Sequence, residues 1–253
     1  MKLFVVNLER STDRRNEMVR QLNSLGLHYE FLRAIDGRAG EHTAFSNYSD
    51  DFCLRAWRRP LTPGEVGCFA SHYLLWKRCV DQNEPIVVLE DDVIIGEKFG
   101  DALRIASLII KTFDYIRLCG VAKVDYWPID SSSYPPWEVV RFRRGPMGTQ
   151  CYALSPDGAR RFLQYAERWD LPVDNYMDAF WRHGVLSLGL LPFPVSAPRD
   201  IPSEISWAGV SPSEENRRKI WRPKRFAVRK SDDINRILFN VRKKRTLLNN
   251  VDR

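Results

Sequence analysis

Residues 86–92 read Ile-Val-Val-Leu-Glu-Asp-Asp, an apolar run followed at once by three carboxylates. A short apolar run rich in β-branched residues, here after Pro85, is typical of a buried parallel strand. Ligands of open α/β sheets bind at the carboxyl ends of such strands. Adjacent carboxylates repel one another unless a cation screens them, and their oxygens suit Mg²⁺ and Mn²⁺. The stretch therefore predicts an α/β fold with a cation site where this strand ends; a solvated acidic turn is the alternative.

The rest of the chain alternates segments typical of strands with segments typical of helices, as in an α/β fold with a largely parallel sheet. Predicted strands lie at residues 3–8, 29–35, 86–89, 115–119 and 149–154, and predicted helices at 13–25, 62–79, 101–111, 156–166 and 173–183, followed by a last apolar segment at 185–191. Thr62-Pro63-Gly64-Glu65 is a strong helix start, because Thr caps the helix, Pro suits its first turn and Glu completes a capping box. Residues 38–60 and 125–137 are predicted to be loops.

Composition limits the class of protein. With 253 residues, 44% of them hydrophobic, the chain can bury a sizeable core. Its apolar stretches are shorter than the roughly 18–20 residues of a membrane span. The first hydrophobic stretch is too short for a signal peptide, so we expect a cytoplasmic protein. The five cysteines are odd in number and show no Cys-x-x-Cys spacing, which predicts reduced thiols.

The net charge of +7 originates in the C-terminal tail. From residue 212 onward there are 14 Lys and Arg against 5 Asp and Glu, whereas the preceding residues hold 25 against 27. Within the tail, an apolar stripe at helical spacing is formed by Ile234, Ile237, Leu238 and Val241. A basic helix with such a stripe suits an anionic bilayer surface. The alternatives are a helix that packs its stripe on the preceding domain and a nucleic-acid-binding module.

Two residues of the capped helix are candidates for a site. Glu65 and His72 are seven positions apart and lie on nearly the same helical face. Glu65 has a structural alternative as the capping-box residue, and His72 has one as a buried, hydrogen-bonded histidine. Spacing alone makes neither residue a convincing metal ligand.

Polar residues also surround the turn between the first strand and the first helix. They are Asn7, Arg10, Arg14 and Arg15. If the strands are parallel, this turn lies at the same sheet edge as residues 90–92, where basic side chains and helix amides can bind a diphosphate. A solvated helical turn is the alternative, and the glycine patterns of Rossmann dinucleotide sites and P-loops are absent.

Asp174 lies at the start of a predicted helix in the second half of the chain. A carboxylate is favoured there by the helix dipole, so capping is the alternative to a catalytic role. Asp178, one turn further along, is expected to be an ordinary helix residue.

Six motifs occur in order along the chain. They are Val5-Val6-Asn7-Leu8-Glu9-Arg10-Ser11-Thr12-Asp13-Arg14-Arg15, Ala34-Ile35-Asp36-Gly37, Leu61-Thr62-Pro63-Gly64-Glu65-Val66-Gly67-Cys68-Phe69-Ala70-Ser71-His72, Leu89-Glu90-Asp91-Asp92, Gly148-Thr149-Gln150-Cys151-Tyr152-Ala153-Leu154-Ser155 and Pro172-Val173-Asp174. Together they resemble the pattern of glycosyltransferase family 25, which includes the galactosyltransferases that extend bacterial lipooligosaccharide. The resemblance covers roughly residues 1–205 and leaves the basic tail outside it.

The resemblance implies a GT-A-like catalytic domain at residues 1–211, with a mostly parallel central sheet flanked by helices, and a basic helical extension at 212–253. It implies the inverting transfer of a hexose, with galactose from UDP-galactose expected, onto a sugar of lipooligosaccharide or lipopolysaccharide. It further implies that Asp92 binds Mn²⁺ or Mg²⁺, while Glu90 and Asp91 contact the donor's ribose and sugar. A cation on the diphosphate stabilises the leaving group.

The residues expected to contact the donor are Asn7, Arg10, Arg14, Asp36, His72, Glu90 and Asp91. Inversion needs a carboxylate that takes the acceptor's proton, for which Asp174 is the candidate and Glu65 the alternative. We expect a lipid-linked acceptor, peripheral association with the inner face of the cytoplasmic membrane, and no nucleic acid. A metal-dependent phosphohydrolase is a further interpretation, but it usually needs dispersed His or Asp ligands, and the chain has only four histidines.

Overall fold

An eight-stranded mixed sheet forms the centre of the protein. The structure, a computed structural model, describes residues 1–40, 42–56, 59–197 and 230–242. The strands are β1 (Lys2–Asn7), β2 (Glu30–Arg33), β3 (Ile86–Glu90), β5 (Tyr115–Arg117), β6 (Tyr126–Asp130), β7 (Glu138–Phe142), β8 (Cys151–Leu154) and β9 (Leu188–Leu191), in the spatial order β2-β1-β3-β8-β5-β9-β7-β6. Two short strands, β4 (Ile94–Ile95) and β10 (Val195–Ser196), pair outside this sheet.

Six of these eight strands run in one direction. β1 is parallel to β2 and β3, β5 is parallel to β9, and β7 and β8 are reversed relative to their neighbours. The predicted α/β class with a mostly parallel central sheet is therefore confirmed. Because β8 is reversed, its amino end lies at the same sheet edge as the carboxyl ends of β1 and β3. The residues after β1, after β3 and before β8 are thereby brought together.

Helices cover both faces of the sheet. They are α1 (Thr12–Ser24), α2 (Asp50–Ala56), α3 (Pro63–Gln82), α4 (Phe99–Ile109), α5 (Pro156–Tyr165), α6 (Val173–Met177), α7 (Phe180–His183) and α8 (residues 230–242), with a 3₁₀ helix at Thr43–Asn47. Successive side chains of a strand point to opposite faces, so the central strands feed two cores. Phe4 and Val88 pack in the core with α3 and α5, whereas Val5 and Leu89 pack in the core with α1 and α4.

Two glycines let the loop after β2 touch the amino end of α3. A Cβ atom at Gly37 would lie 1.7 Å from the carbonyl oxygen of Pro63. A Cβ atom at Gly67 would lie 2.4 Å from the carbonyl oxygen of Ile35. Only glycine permits this approach, which places residues 34–38 beside the start of α3.

Two loop predictions are wrong. Residues 38–60 contain the 3₁₀ helix and α2. Cys53 of α2 is buried in the core, where its thiol contacts the carbonyl oxygen of Trp169. Residues 125–137 contain β6, which pairs with β7 at the end of the sheet order; an edge position tolerates the proline of this strand. β7 itself lies where no strand is predicted. None of the five cysteines, all of which are described, is paired with another, and four of them are buried.

The described part of the basic tail, residues 230–242, forms α8, whose predicted apolar stripe is exposed. Its residues Ile234, Ile237, Leu238 and Val241 do not pack on the domain, so the alternative in which they do is wrong. The predicted domain boundary at residues 211 and 212 lies outside the described residues. Within the described parts of the chain, no helix is both long and apolar enough to cross a membrane.

Candidate active site

A cleft of about 410 Å³ opens at the sheet edge where β1 and β3 end. It is lined by side chains that follow β1, β2 and β3, by the start of α3, and by residues 147–150 and 172–174. The predicted site residues among them are Arg10, Arg14, Asp36, Glu65, Glu90, Asp91, Asp92 and Asp174. The two remaining ones, Asn7 and His72, are buried behind the lining.

Asp91, in the middle of the acidic triplet Glu90–Asp92, is tied to the turn between β1 and α1. Its Oδ2 accepts a hydrogen bond from Asn7 Nδ2 at 2.6 Å, and its Oδ1 accepts one from Arg14 Nη1 at 3.2 Å. Asn7 Nδ2 also donates to the Ser11 carbonyl oxygen at 3.1 Å. Asn7 therefore positions Asp91 and the turn, rather than lining the cleft itself.

Arg10 joins the same turn to the loop after β2. It forms an ion pair with Asp36, and both side chains are partly exposed and line the cleft. Arg10 and Arg14 thus bring two guanidinium groups to one part of the lining. A phosphate group entering the cleft would meet cations with the geometry to bind it.

Asp92 is the least satisfied carboxylate of the triplet. Its Oδ1 is buried and has no hydrogen-bond partner among the described residues. Burial, reinforced by the charges of Glu90 and Asp91, raises the pKa of Asp92 to about 7. A cation would supply the missing partner and screen the three charges, and oxygen ligands suit Mg²⁺ and Mn²⁺. The residues present therefore fit the predicted divalent cation.

A chain of hydrogen-bonded, buried polar groups contacts Glu90 on the side away from the cleft. His72 Nε2 lies 3.1 Å from Glu90 Oε1, and His72 Nδ1 lies 2.8 Å from Tyr152 Oη, which in turn accepts from Trp76 Nε1 at 3.1 Å. Because a carboxylate only accepts, this network favours the tautomer with its proton on Nε2. Thr149 Oγ1 also donates to Glu90. Burial acts to raise the pKa of Glu90, but these hydrogen bonds hold it below its ordinary value.

This network changes the expected role of His72. The side chain is fully buried, so an effect on a bound donor would act through Glu90. Donor atoms of Cys68, His72 and Glu90 lie within 4.8 Å of one another, close enough to hold a metal ion. Such an ion would displace the hydrogen bonds that Glu90 already accepts and would favour softer metals than Mg²⁺. Asp92 is therefore the better match to the predicted cation.

Glu65 performs the structural role that the capping box predicts. Its Oε2 accepts from Thr62 N at 2.8 Å, and Thr62 Oγ1 accepts from Glu65 N at 3.1 Å. Arg59 binds both carboxylate oxygens, with distances of 2.7 and 2.9 Å. A bidentate guanidinium stabilises an ionised carboxylate and occupies the oxygens that a general base would use. The geometry therefore favours Asp174 over Glu65 as the base.

Asp174 lies in the first turn of α6, where its carboxylate is partly buried and reaches the cleft. Its Oδ1 accepts from Asn175 N at 2.8 Å, and its Oδ2 lies 3.5 Å from Gly148 N. Burial, together with the charge of Asp178, raises the pKa of Asp174, although the hydrogen bond from Asn175 opposes this shift. A cleft-lining carboxylate with a raised pKa is suited to accept a proton.

Asp178 is not the ordinary helix residue that its sequence predicts. It ends α6, so the helix predicted at 173–183 is divided in two, and its Oδ1 lies 2.6 Å from Nη2 of the fully buried Arg117. Its Oδ2 accepts from Met147 N at 2.8 Å, and a Cβ atom at Gly145 would lie 1.8 Å from its Cγ. The other Arg117 nitrogen, Nη1, donates to the Gly148 carbonyl oxygen. The Arg117–Asp178 pair thus holds the loop that precedes β8.

Sequence reasoning missed Arg117 as well as Asp178, although one signal was available. Arg117 interrupts the apolar strand Tyr115-Ile-Arg-Leu-Cys119, and an arginine is rarely buried in a strand without a carboxylate partner. The partner itself could not be identified, because Asp178 is 61 residues away along the chain. Thr149 lies in a quoted motif, but only the structure shows that it binds Glu90.

The sequence model of glycosyltransferase family 25, described as LPS biosynthesis protein, matches residues 1–177. The chain belongs to glycosyltransferase family 25. All of the predicted site residues fall within the matched range, and the mixed α/β fold is consistent with a GT-A-like domain. The match leaves out the basic tail, on which the nucleic-acid-binding alternative depended, and it gives no support to a phosphohydrolase.

Proteins of animals are also similar to parts of this chain. A glycosyltransferase 25 family member of Aedes aegypti is 31% identical over 193 residues, which are 69% of this chain and 30% of that protein. The human procollagen galactosyltransferase 2 is 36% identical over 104 residues, covering 39% of this chain and 16% of that protein. A mouse protein named inactive glycosyltransferase 25 family member 3 is 30% identical over 195 residues, covering 72% of this chain and 32% of that protein.

The chain therefore spans a third or less of the length of these curated relatives. One of them is named a galactosyltransferase and another is named inactive. Membership of the family is thus compatible with an active transferase and with an inactive protein. Whether this chain carries out transfer depends on its own site residues.

Proposed function

We propose that this chain is an inverting, metal-dependent glycosyltransferase that moves galactose from UDP-galactose to a sugar of lipooligosaccharide or lipopolysaccharide. The observation that carries the proposal is Asp92, whose buried carboxylate oxygen has no hydrogen-bond partner in the described parts of the chain and lies in a cleft that Asp174 also lines. Asp92 is suited to hold a cation, and Asp174 is suited to take a proton. A donor diphosphate and an acceptor hydroxyl are the groups on which these two carboxylates would act.

The donor side is formed by the residues that follow β1 and β3. Asp92 would hold the cation, which when bound supplies positive charge at the leaving diphosphate. Arg10 and Arg14 would donate hydrogen bonds to phosphate oxygens. To do so, Arg10 would give up part of its contact with Asp36, and Arg14 part of its contact with Asp91. Glu90 is held by His72 and Thr149 in a fixed orientation from which it would accept hydroxyl groups of the donor.

On the acceptor side, Asp174 would take the proton of the attacking hydroxyl group. The oxygen then forms the new glycosidic bond while the bond from the sugar to UDP breaks, so the configuration at the anomeric carbon is inverted. Burial keeps the pKa of Asp174 above its ordinary value, which increases its basicity in the ionised form. The loop held by Arg117 and Asp178 places the Gly148 amide beside the Asp174 carboxylate.

We propose a saccharide carried on a lipid as the acceptor. The family is described as one of LPS biosynthesis proteins, which favours such an acceptor. The human relative is named for procollagen, which makes a procollagen peptide the alternative acceptor to test. A lipid-linked acceptor would place the enzyme in the cytoplasm, peripherally attached to the inner face of the membrane.

A donor and acceptor screen tests this function. The purified chain would be incubated with UDP-galactose, UDP-glucose or UDP-N-acetylglucosamine, with Mn²⁺ or EDTA, and with truncated lipooligosaccharide or a procollagen peptide. We expect UDP release and a mass increase of one hexose only with UDP-galactose, Mn²⁺ and the saccharide. Transfer in EDTA would contradict the role of the cation, and transfer to the peptide would contradict the acceptor.

Arg104→Met is the matched control for this screen. Arg104 is an exposed arginine of α4 that pairs with Asp101 on the same helix, outside the cleft lining. It should behave as the unaltered chain, whereas Arg14→Met should raise the KM for the UDP-sugar. An equal KM for the two variants would remove Arg14 from the donor site.

A further inference from the structure

The apolar stripe of α8 points away from the domain. Its four members, each about half exposed, are Ile234, Ile237, Leu238 and Val241. With 3.6 residues per turn, these positions form one row along the helix. A contiguous row of aliphatic side chains differs from a single exposed residue, because apolar surface of this kind marks a place of interaction.

The opposite side of α8 is attached to the domain. Asp232 accepts hydrogen bonds from Arg182 Nη2 at 2.8 Å and from Trp181 Nε1 at 3.1 Å. Two turns further along, Phe239 packs on Phe180, with 5.4 Å between the ring centroids. Polar and aromatic groups therefore form the inner side of this helix, and its aliphatic groups form the outer side.

Asn240 extends the attachment to the carboxyl end of α8. Its Oδ1 accepts from Nη2 of the buried Arg141 at 2.9 Å, and its Nδ2 donates to the Arg143 carbonyl oxygen at 2.9 Å. The helix is thus held near both ends. It cannot turn its stripe toward the domain without breaking these contacts.

Positive charge surrounds the stripe. Lys230 and Arg242 are exposed at the two ends of α8, and Arg143 and Arg144 are exposed on the adjoining domain. Arg242 also begins the sequence Arg242-Lys243-Lys244-Arg245. An anionic surface that touched the stripe would therefore meet an exposed cation at each end of it.

The acidic residues of α8 do not cancel this charge. Asp232 is paired with Arg182 on the inner side of the helix. Asp233 is exposed but is paired with Arg236 at 2.9 Å. On the adjoining domain, Arg143 forms an ion pair with the exposed Asp125 at 3.8 Å. The aliphatic outer side of α8 is thus bordered by more cations than carboxylates, since Lys230, Arg242 and Arg144 are exposed in addition to Arg143.

We propose that the outer side of α8 is a docking surface for an anionic lipid bilayer. A helix that lies in a bilayer interface needs an apolar row for the acyl region and flanking Lys and Arg for the lipid phosphates, and α8 has both. A protein partner or a second copy would be served by the apolar row alone, whereas the positive border favours an anionic surface. The proposal rests on the proposed function in one respect, because a lipid-linked acceptor would be reached from such a surface.

Vesicle co-sedimentation of the full chain tests this proposal. Vesicles would contain phosphatidylcholine alone or with a quarter of phosphatidylglycerol, at low and high salt. The test variant is Ile237→Asn/Leu238→Asn, which removes side chains that are 57% and 48% exposed. The control is Leu108→Asn/Tyr165→Asn, which removes side chains of similar exposure, 60% and 51%, elsewhere on the surface.

We expect salt-sensitive binding to the anionic vesicles, weakened at least about tenfold in the α8 variant and unchanged in the control. Equal binding to neutral vesicles, no binding by the unaltered chain, or equal loss in both variants would overturn the proposal. Analytical ultracentrifugation without vesicles identifies a second copy: a dimer that the α8 variant dissociates would also overturn it. Circular dichroism verifies that each variant is folded.

This experiment separates the surface from the proposed function. The vesicles carry neither donor nor acceptor, so binding is measured even if the chain transfers no sugar. With a soluble acceptor, the α8 variant should transfer at the rate of the unaltered chain. Transfer without vesicle binding would refute the surface alone, and vesicle binding without transfer would refute the proposed function alone.

Discussion

The acidic triplet and the pair formed by Arg117 and Asp178 represent two ways of burying a carboxylate beside the same cleft. Asp178 has one oxygen on a buried guanidinium and the other on a backbone amide. Asp92 has a buried oxygen without a partner among the described residues, and the charges beside it are negative. A paired buried carboxylate supports the fold, whereas an unpaired one is a cost that a ligand can remove. The contrast separates residues that hold the cleft from residues that act in it.

The largest expected effect is the loss of turnover in Asp92→Asn. Removing the carboxylate should lower kcat/KM at least about 10³-fold, because a cation supplies several kcal/mol at the leaving group. The melting temperature should stay the same or rise, since repulsion within the triplet is reduced. Steady-state kinetics and a thermal melt are the two measurements. A near-normal rate with metal present would refute the assignment of Asp92.

Arg117→Met should have the opposite signature, a large loss of stability. It leaves the Asp178 charge buried without its guanidinium, which costs about 3–5 kcal/mol. Arg104→Met, which breaks an exposed pair on one helix, should cost less than about 1 kcal/mol. Urea unfolding compares the two variants. Similar losses in both would show that the Arg117–Asp178 pair does not support the cleft.

Asp174→Asn should act on the chemical step. We expect kcat to fall at least about 10²-fold, equivalent to about 2.7 kcal/mol, with little change in the affinity for UDP. Asp170→Asn is a control on a carboxylate outside the cleft lining, although it removes an ion pair with Arg182. If the Asp174 variant lost stability but kept its kcat, its role would be that of a helix cap.

The pH dependence of kcat gives a smaller effect with a defined sign. A general base must be ionised, so activity should fall as the pH drops through the pKa of Asp174. Because burial raises that pKa, the fall should occur above the ordinary value of about 3.9. The residual activity of Asp174→Asn should lack this acidic limb. If the variant kept the same fall in kcat at low pH, that fall would be due to the titration of another group.

The smallest effect is expected from Glu65→Gln. Gln can still accept the hydrogen bond of the capping box, and no proton transfer is removed. We therefore expect kcat to change by less than about tenfold. Loss of a general base would lower it by about 10²–10⁴-fold. Weakening the contact with Arg59 should reduce stability slightly. A fall in kcat as large as that of Asp174→Asn would make Glu65 the base and reverse the comparison between the two residues.

Much of the sheet was predictable, because buried parallel strands are continuous apolar runs and the turns between them carry capping and glycine signals. The capping box at Thr62 and the strand before Glu90 show this, and both follow from neighbouring residues. The strands β6 and β7 were not predicted. They are stabilised by pairing with partners distant in the sequence, which a local pattern does not show.

The sequence alone determined the family motifs, the acidic triplet after a buried strand, and the apolar stripe with its basic surroundings, since each is written in adjacent or regularly spaced residues. Only the tertiary structure decided that His72 lies behind Glu90, that Asp178 pairs with Arg117, and that the stripe of α8 faces outward. Periodicity defines the apolar side of a helix. Which side is buried depends on contacts such as Asp232 with Arg182, made between residues that the fold brings together across 50 positions of the chain.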